Sequence, residues 1–267
     1  MRITAVSVRI LALMMGLGVI ALRADPSPAK PSVVPRATLD PRASLVLHSM
    51  SDYLKTAKSF SFNAEIMYDD VGPSGQKIAF QARTAVSLRR PNRFYVEQIA
   101  DTGSRQLWFD GQQLTLLDPL RNTYAVEPAA GNTDKALDHL ITILHFTPPL
   151  SDFLYEDPAR VLSKNTTHGF DVGISTVDEA RCQHLAFVGN AIDWQIWVEN
   201  GKQRVPRKLV ITYKTLPGAP QFIATLSHWD FTSRLPDSLF QADIPPGVTQ
   251  LEFLKAGDFS SPAARQH

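Results

Sequence analysis

Phe60, Ser61, Phe62, Asn63, Ala64, Glu65, Ile66, Met67 and Tyr68 form the stretch that decides the fold. The even-numbered side chains are all apolar or aromatic, whereas Ser61, Asn63 and Glu65 are polar. A period of two sends alternate side chains to opposite faces, so this is a half-buried β-strand. Gly72, Pro73, Ser74 and Gly75 then write a turn. After it, Ile78, Phe80, Ala82, Thr84, Val86 and Leu88 alternate with Gln81, Arg83, Ser87 and Arg89. The same logic continues downstream. Phe94 and Val96 resume after Pro91-Asn92, Leu107 and Phe109 enter the Asp110-Gly111 hairpin signal, and Leu114 and Leu116 leave it. Asp118-Pro119 turns once more before Tyr124 and Val126.

Two segments change the period. Asp40 offers an N-cap and Pro41 a first helical position. Ala43, Leu47, Met50 and Leu54 then recur at helical spacing, which predicts an amphipathic helix over 41–57. Leu137, Leu140, Ile141 and Leu144 share a helical face within 133–145. Residues 147–162 read as short helical turns and loop, strands return at 169–176, 181–188, 191–199, 205–215 and 220–230, and Pro236 to Phe240 reads as a turn of helix. About ten antiparallel strands with one apolar face each, plus two amphipathic helices, predict a mainly β member of the α+β class. Its sheet is a strongly curved, incomplete β-barrel whose apolar concave face the helices cover.

Upstream, Arg2 and Arg9 precede or flank an apolar stretch from Ile10 to Leu22, and Leu22-Arg23-Ala24 offers a cleavage site. This is the pattern of a secretory signal peptide over 1–24, with an uncleaved N-terminal anchor as the alternative. Pro26, Pro28, Pro31 and Pro35 make 25–39 an extended linker. A single domain is expected over 40–255, and a disordered tail over 256–267. The 267 residues are 44% hydrophobic and 20% charged, enough apolar material for a large core and too much for a disordered chain. Lys+Arg 27 against Asp+Glu 26 leaves no basic footprint for nucleic acid. No apolar run is long enough to span a bilayer once the signal is removed. Cys182 is the single cysteine, so no intramolecular disulfide forms and no lipid-modified cysteine follows the signal.

Catalytic signatures are missing: no Gly-x-Ser-x-Gly elbow, no phosphate-binding glycine loop, no His-Glu-x-x-His. His139 and His145, six apart, fall off a shared helical face. Cys182 and His184 share a strand face, and a packed thiol beside a hydrogen-bonded imidazole is weighed against a reactive pair. Asp69-Asp70 reads as a solvated acidic pair. Neither a metal nor a cofactor is expected.

The stronger signal is apolar surface. Phe60, Phe62, Ile66, Phe80, Val86, Phe94, Val96, Leu107, Phe109, Leu114 and Leu116 all take inward strand positions. They are either an ordinary filled core or the wall of a cavity for a hydrophobic guest, with Leu137, Leu140, Ile141 and Leu144 as the lid. Burying acyl chain contributes about 0.8 kcal/mol per CH₂, so such a site needs no polar motif. Trp194 and Trp197 point to opposite faces of their strand, and only one of them can reach a cavity.

A family likeness joins these pieces. Arg90-Pro91-Asn92-Arg93-Phe94, then Asp110-Gly111, then Asp118-Pro119, resembles the N-terminal half of periplasmic lipoprotein carriers of the LolA/LolB type. Leu235-Pro236-Asp237-Ser238-Leu239-Phe240 followed by Pro245-Pro246-Gly247 resembles the closing segment of that superfamily. Cys182-Gln183-His184-Leu185-Ala186-Phe187 and Asp193-Trp194-Gln195-Ile196-Trp197 resemble a branch of predicted periplasmic proteins. The resemblance implies an incomplete β-barrel with helices over an apolar cavity, in a periplasmic protein without enzymatic activity. The expected partner is a lipid, acyl chain or other hydrophobic ligand. An envelope protein–protein interaction or stress-sensing module with a filled core is the alternative.

Overall fold

A computed structural model describes residues 38–253. The expected signal peptide, the linker up to residue 37 and the C-terminal tail lie outside the described residues.

The first helix, α1 (Pro41–Thr56), starts where the sequence marks it. The Asp40 carboxylate accepts the Arg42 amide at 2.8 Å, and Pro41 occupies the first turn. Its buried stripe is Ala43, Leu47, Met50, Ser51 and Leu54. The chain then enters the long hairpin of β2 (Ser59–Val71) and β3 (Lys77–Arg89), paired without a break from Ser59↔Arg89 to Val71↔Lys77. A meander follows: β4 (Arg93–Ala100), β5 (Gly103–Phe109), β6 (Gln113–Asp118) and β7 (Thr123–Pro128). At the β5–β6 turn the Asp110 carboxylate accepts the amides of Gln112 and Gln113 at 2.9 Å. Gly111 sits there at φ +93, with a β-carbon position that the Asn92 side chain already fills.

Helix α2 (Thr133–Thr142) and helix α3 (Pro158–Ser163) flank a 3₁₀ turn at Ser151–Leu154. The predicted second helix is therefore shorter than 133–145. Ile143 and Leu144 fold back onto the His139 carbonyl and His145 takes a left-handed φ of 49, so Leu144 is buried beyond the helix end. The second meander is β8 (Thr166–Val177), β9 (Ala180–Gly189), β10 (Ile192–Glu199), β11 (Pro206–Tyr213) and β12 (Gln221–Asp230).

Among the described residues all strands join one open, curved sheet of thirteen when two short ones are counted, β1 (Thr38–Leu39) and β13 (Thr249–Leu251). Its order is β1-β8-β9-β10-β11-β12-β2-β3-β4-β5-β6-β7-β13. The two outermost strands correct the purely antiparallel expectation. β1 runs parallel to β8 and β13 parallel to β7, so Thr38 and Leu39, expected in the linker, belong to the sheet edge. Segments of two and three residues are too short to display a period.

The helices cover one face of this sheet. Ser51 ties α1 to α3: its hydroxyl donates to Asp157 at 2.9 Å and accepts the Ala159 amide at 3.1 Å. Burial pushes the Asp157 carboxyl up, but the Arg160 amide and the Ser51 hydroxyl outweigh it and hold the group below the usual range. Tyr53 meets Phe231 edge-on at 5.1 Å, and Phe62 stacks on Trp229 at 4.3 Å, which seats the end of α1 on the middle of the sheet.

Candidate functional site

Register assembles the site. On the inner face, Tyr68 of β2 stands beside Phe80 of β3 on one side and Phe222 of β12 on the other. The same row continues through Ile211, Trp194 and Phe187 to Gly169. Six apolar side chains thus cross six strands at one level. At the Phe187–Trp194 end the row is sealed, 2% and 3% exposed, with the two rings stacked at 4.0 Å. Ile211, Phe222, Tyr68 and Phe80 are only half-buried, because the row emerges there from beneath the helices. Tyr68 and Phe80 stack at 5.7 Å, and the Tyr68 hydroxyl lies 3.3 Å from Thr102 Oγ1.

Where the row passes under α3 there is a cavity of about 110 Å³. Val161 and Leu162 of α3 lie above it, and Ile192, Trp194, Leu209 and Ile211 of the sheet form its floor. Its polar rim is Asp152, Asn165 and Thr166, with the Trp194 indole donating to Thr166 Oγ1 at 3.1 Å. Burial pushes the Asp152 carboxyl above the usual carboxylate range. The Tyr213 phenol is raised by burial first and then by Asp152. A second, shallower hollow of about 460 Å³ lies on the outer face between Glu65, Met67, Gln81, Arg83, Ile99 and Ile223, without a helix over it.

The expected wall residues are placed as follows. Phe60, Phe62, Ile66, Val86, Phe94, Val96, Leu107, Phe109 and Leu114 are each 3% exposed or less and pack into one core with α1 and α2. Phe80 and Leu116 keep open surface. Of the lid set, Leu137, Leu140 and Leu144 are buried and Ile141 is half-buried. Of these fifteen side chains, Phe80 lies on the emerging row. Trp194, not Trp197, reaches the cavity. Trp197 faces outward, stacked on His184 at 3.9 Å with Lys208 Nζ 5.2 Å from its ring.

Sequence pattern alone does not mark Asp152 and Arg90 as site residues. Asp152 is one acid among Leu150, Phe153, Leu154 and Tyr155, which is the only sequence signal it gives. Arg90 stands in the Arg90-Pro91-Asn92 motif, and its guanidinium donates to the carbonyls of Leu154 at 3.4 Å and Tyr155 at 3.0 Å. Burial lowers its pKa, against the pull of Asp134 and Glu156. Beside it, Arg89 donates to the Leu235 carbonyl at 2.9 Å, pairs with Asp237 and lies over the Phe240 ring. The two arginines at the end of β3 therefore fasten both the turn bearing Asp152 and the C-terminal segment to the sheet.

The chemistry of Cys182 and His184 is that of packing. The thiol is buried, donates to the Ala180 carbonyl at 3.4 Å, and is pushed by burial up to about 11. The imidazole is held by Gln195 Oε1 at 2.9 Å. His139 is taken up by Glu127 at 3.0 Å, and Asp69 by the Gln221 amide and Lys77. Among the described residues there is no group of three or more His, Cys, Asp or Glu that could hold a metal ion.

The described residues form an open, one-sided, curved β-sheet with helices on its inner face. The chain belongs to the DUF2092 family of predicted periplasmic proteins, whose model matches residues 43–254. It is a periplasmic protein. No curated protein matches it. Among solved structures it is similar to an uncharacterized conserved protein from Thermus thermophilus, at 8% identity and a TM-score of 0.47, covering 76% of this chain and 97% of that one. It is also similar to the lipoprotein LppX of Mycobacterium tuberculosis, at 11% identity and a TM-score of 0.38, over 74% and 100% of the two chains. A LolA superfamily protein from Nitrosomonas europaea is similar at 12% identity and a TM-score of 0.38, over 74% and 97%.

Proposed function

We propose that the protein binds a lipid, acyl chain or other hydrophobic ligand on the open end of its concave face and performs no chemistry on it. The observation that carries this reading is the inner row that leaves the helices half-buried at Ile211, Phe222, Tyr68 and Phe80, continuous with the cavity at Trp194. Magnitudes fix how the two parts share the ligand. With a water's share of volume about 30 Å³, the cavity holds about four carbons. At about 0.8 kcal/mol each they contribute roughly 3 kcal/mol, which alone gives no better than about millimolar affinity. Useful affinity therefore requires the rest of the chain to lie along the open aromatic row. Of the eleven expected wall residues, Phe80 is in this reading the one in direct contact with the ligand, and the nine sealed ones belong to the core on the same face.

Native mass spectrometry of protein purified from periplasm, followed by organic extraction, tests the reading. A co-purifying apolar adduct supports it. A bare protein mass together with no uptake of a fluorescent fatty acid rejects it. The second reading, an envelope interaction or stress-sensing module, is favoured by the nine expected wall residues sealed in the core. One stoichiometric protein partner captured by a protein that takes up no fatty acid supports that alternative.

A further inference from the structure

We propose that Asp152 anchors the cavity beneath α3 and selects a ligand whose alkyl segment ends in a primary amine. The inference rests on the apolar-ligand reading and names the polar end of that ligand. Asp152 lies deep in the protein yet keeps part of its surface open, and the space it borders is the cavity. Its carboxyl has no Lys, Arg or His partner among the described residues, and its own backbone amide is its one hydrogen-bond donor. The titratable groups that feel its charge are Tyr155 on the same turn and Tyr213 on β11, both acids. Nearby Lys214 is spoken for, with Nζ 2.6 Å from the Gly189 carbonyl and 2.7 Å from Asp193.

A buried carboxyl with no counter-charge is costly to ionise, and burial accordingly raises it. An ammonium group is the complement that removes this cost, because a charge-assisted hydrogen bond forms where water is excluded. Thr166 Oγ1 on the same rim already accepts the Trp194 indole hydrogen and has limited capacity to accept another, so the acceptor for an ammonium group is the Asp152 carboxylate. The alkyl stem then meets Val161, Leu162, Ile192 and Trp194. A fatty carboxylate placed in the same site sets two carboxyl groups against each other, and an alcohol offers a single neutral hydrogen bond.

Titration calorimetry with decylamine, 1-decanol and decanoate at pH 7 tests the proposal, using wild-type protein and Asp152→Asn. The expected order is amine first, at least tenfold tighter than the alcohol, with decanoate weakest. In Asp152→Asn the amine falls to the level of the alcohol, while the alcohol itself changes less than threefold. Equal affinities for amine and alcohol in the wild type overturn the anchor and leave the apolar-ligand reading standing. No heat of binding from any of the three overturns both. The wild-type comparison decides the question even if the variant folds poorly.

Discussion

Gly169 lies so close to the ring of Phe187 that a β-carbon on it would sit 2.7 Å from Cε1, with Leu39 Cδ2 at 2.8 Å on the other side. Phe187 in turn is stacked on Trp194, which floors the cavity. The absence of one methyl group on β8 therefore sets the position of two rings on β9 and β10. Gly169→Ala is expected to overpack this contact and cost about 1–3 kcal/mol. Urea unfolding reads the loss, and a shifted Trp emission with reduced fatty-acid uptake reads the displaced rings. Unchanged stability and emission would mean that the edge at β1 gives way freely.

Substitutions at Phe80 and Leu140 test ligand contact separately from core packing. Phe80 keeps open surface on the emerging row, so Phe80→Asp is expected to lower fatty-acid uptake at least tenfold, with a thermal midpoint within a few degrees of the wild type. Leu140 is fully buried, so Leu140→Ala is expected to cost about 2–5 kcal/mol and to affect uptake only through loss of folded protein. A stable Phe80→Asp with wild-type uptake removes the row from the site.

Arg90 is expected to behave as a clip. Its two carbonyl contacts hold the turn that carries Asp152, and hydrogen bonds from a charged donor contribute about 1.5–3 kcal/mol. Arg90→Met keeps most of the stem and removes the donors, so the unfolding free energy extrapolated from urea titration should fall by about that much. Arg90→Lys is expected to recover little, because one ammonium cannot reproduce the guanidinium fork on two successive carbonyls. Full recovery by lysine would show that charge alone suffices.

Much of this was legible in the sequence because burial here follows period. The alternation from Phe60 to Tyr68 and from Ile78 to Leu88 gave both faces of β2 and β3, and Asp40-Pro41 marked the start of α1 to the residue. The open end of the row was not legible. Phe60, Phe62 and Phe80 have the same chemistry and spacing, and only the reach of α1 and α2 over the sheet makes two of them core and the third half-buried. Trp194 and Trp197 had opposite faces from periodicity, but which face lies inward depends on register with β9 and β11. Asp152 carries no local pattern at all. Its meaning comes from α3, β10 and β11, which are brought over it by the fold.

Cys182 supplies a prediction with a definite sign. Its thiol is pushed up to about 11 in the folded protein, whereas an unperturbed thiol titrates at about 8.5. At pH 8 the folded protein therefore holds about one thiolate in a thousand, against about one in four for a free thiol. Thiol-reactive dye should label the native protein hundreds of times more slowly than a model peptide, and unfolding should abolish the difference. The same shift acts on stability. Between pH 8.5 and 11 the unfolded chain releases the thiol proton while the folded one retains it, so this group's contribution is full below pH 8.5 and declines as pH rises through that window. Cys182→Ala removes the decline, and the difference between wild-type and variant stability, measured by urea unfolding from pH 7 to 11, isolates it from the other titrations. A flat difference, or rapid native labelling, would mean that the thiol is open to solvent and available for chemistry.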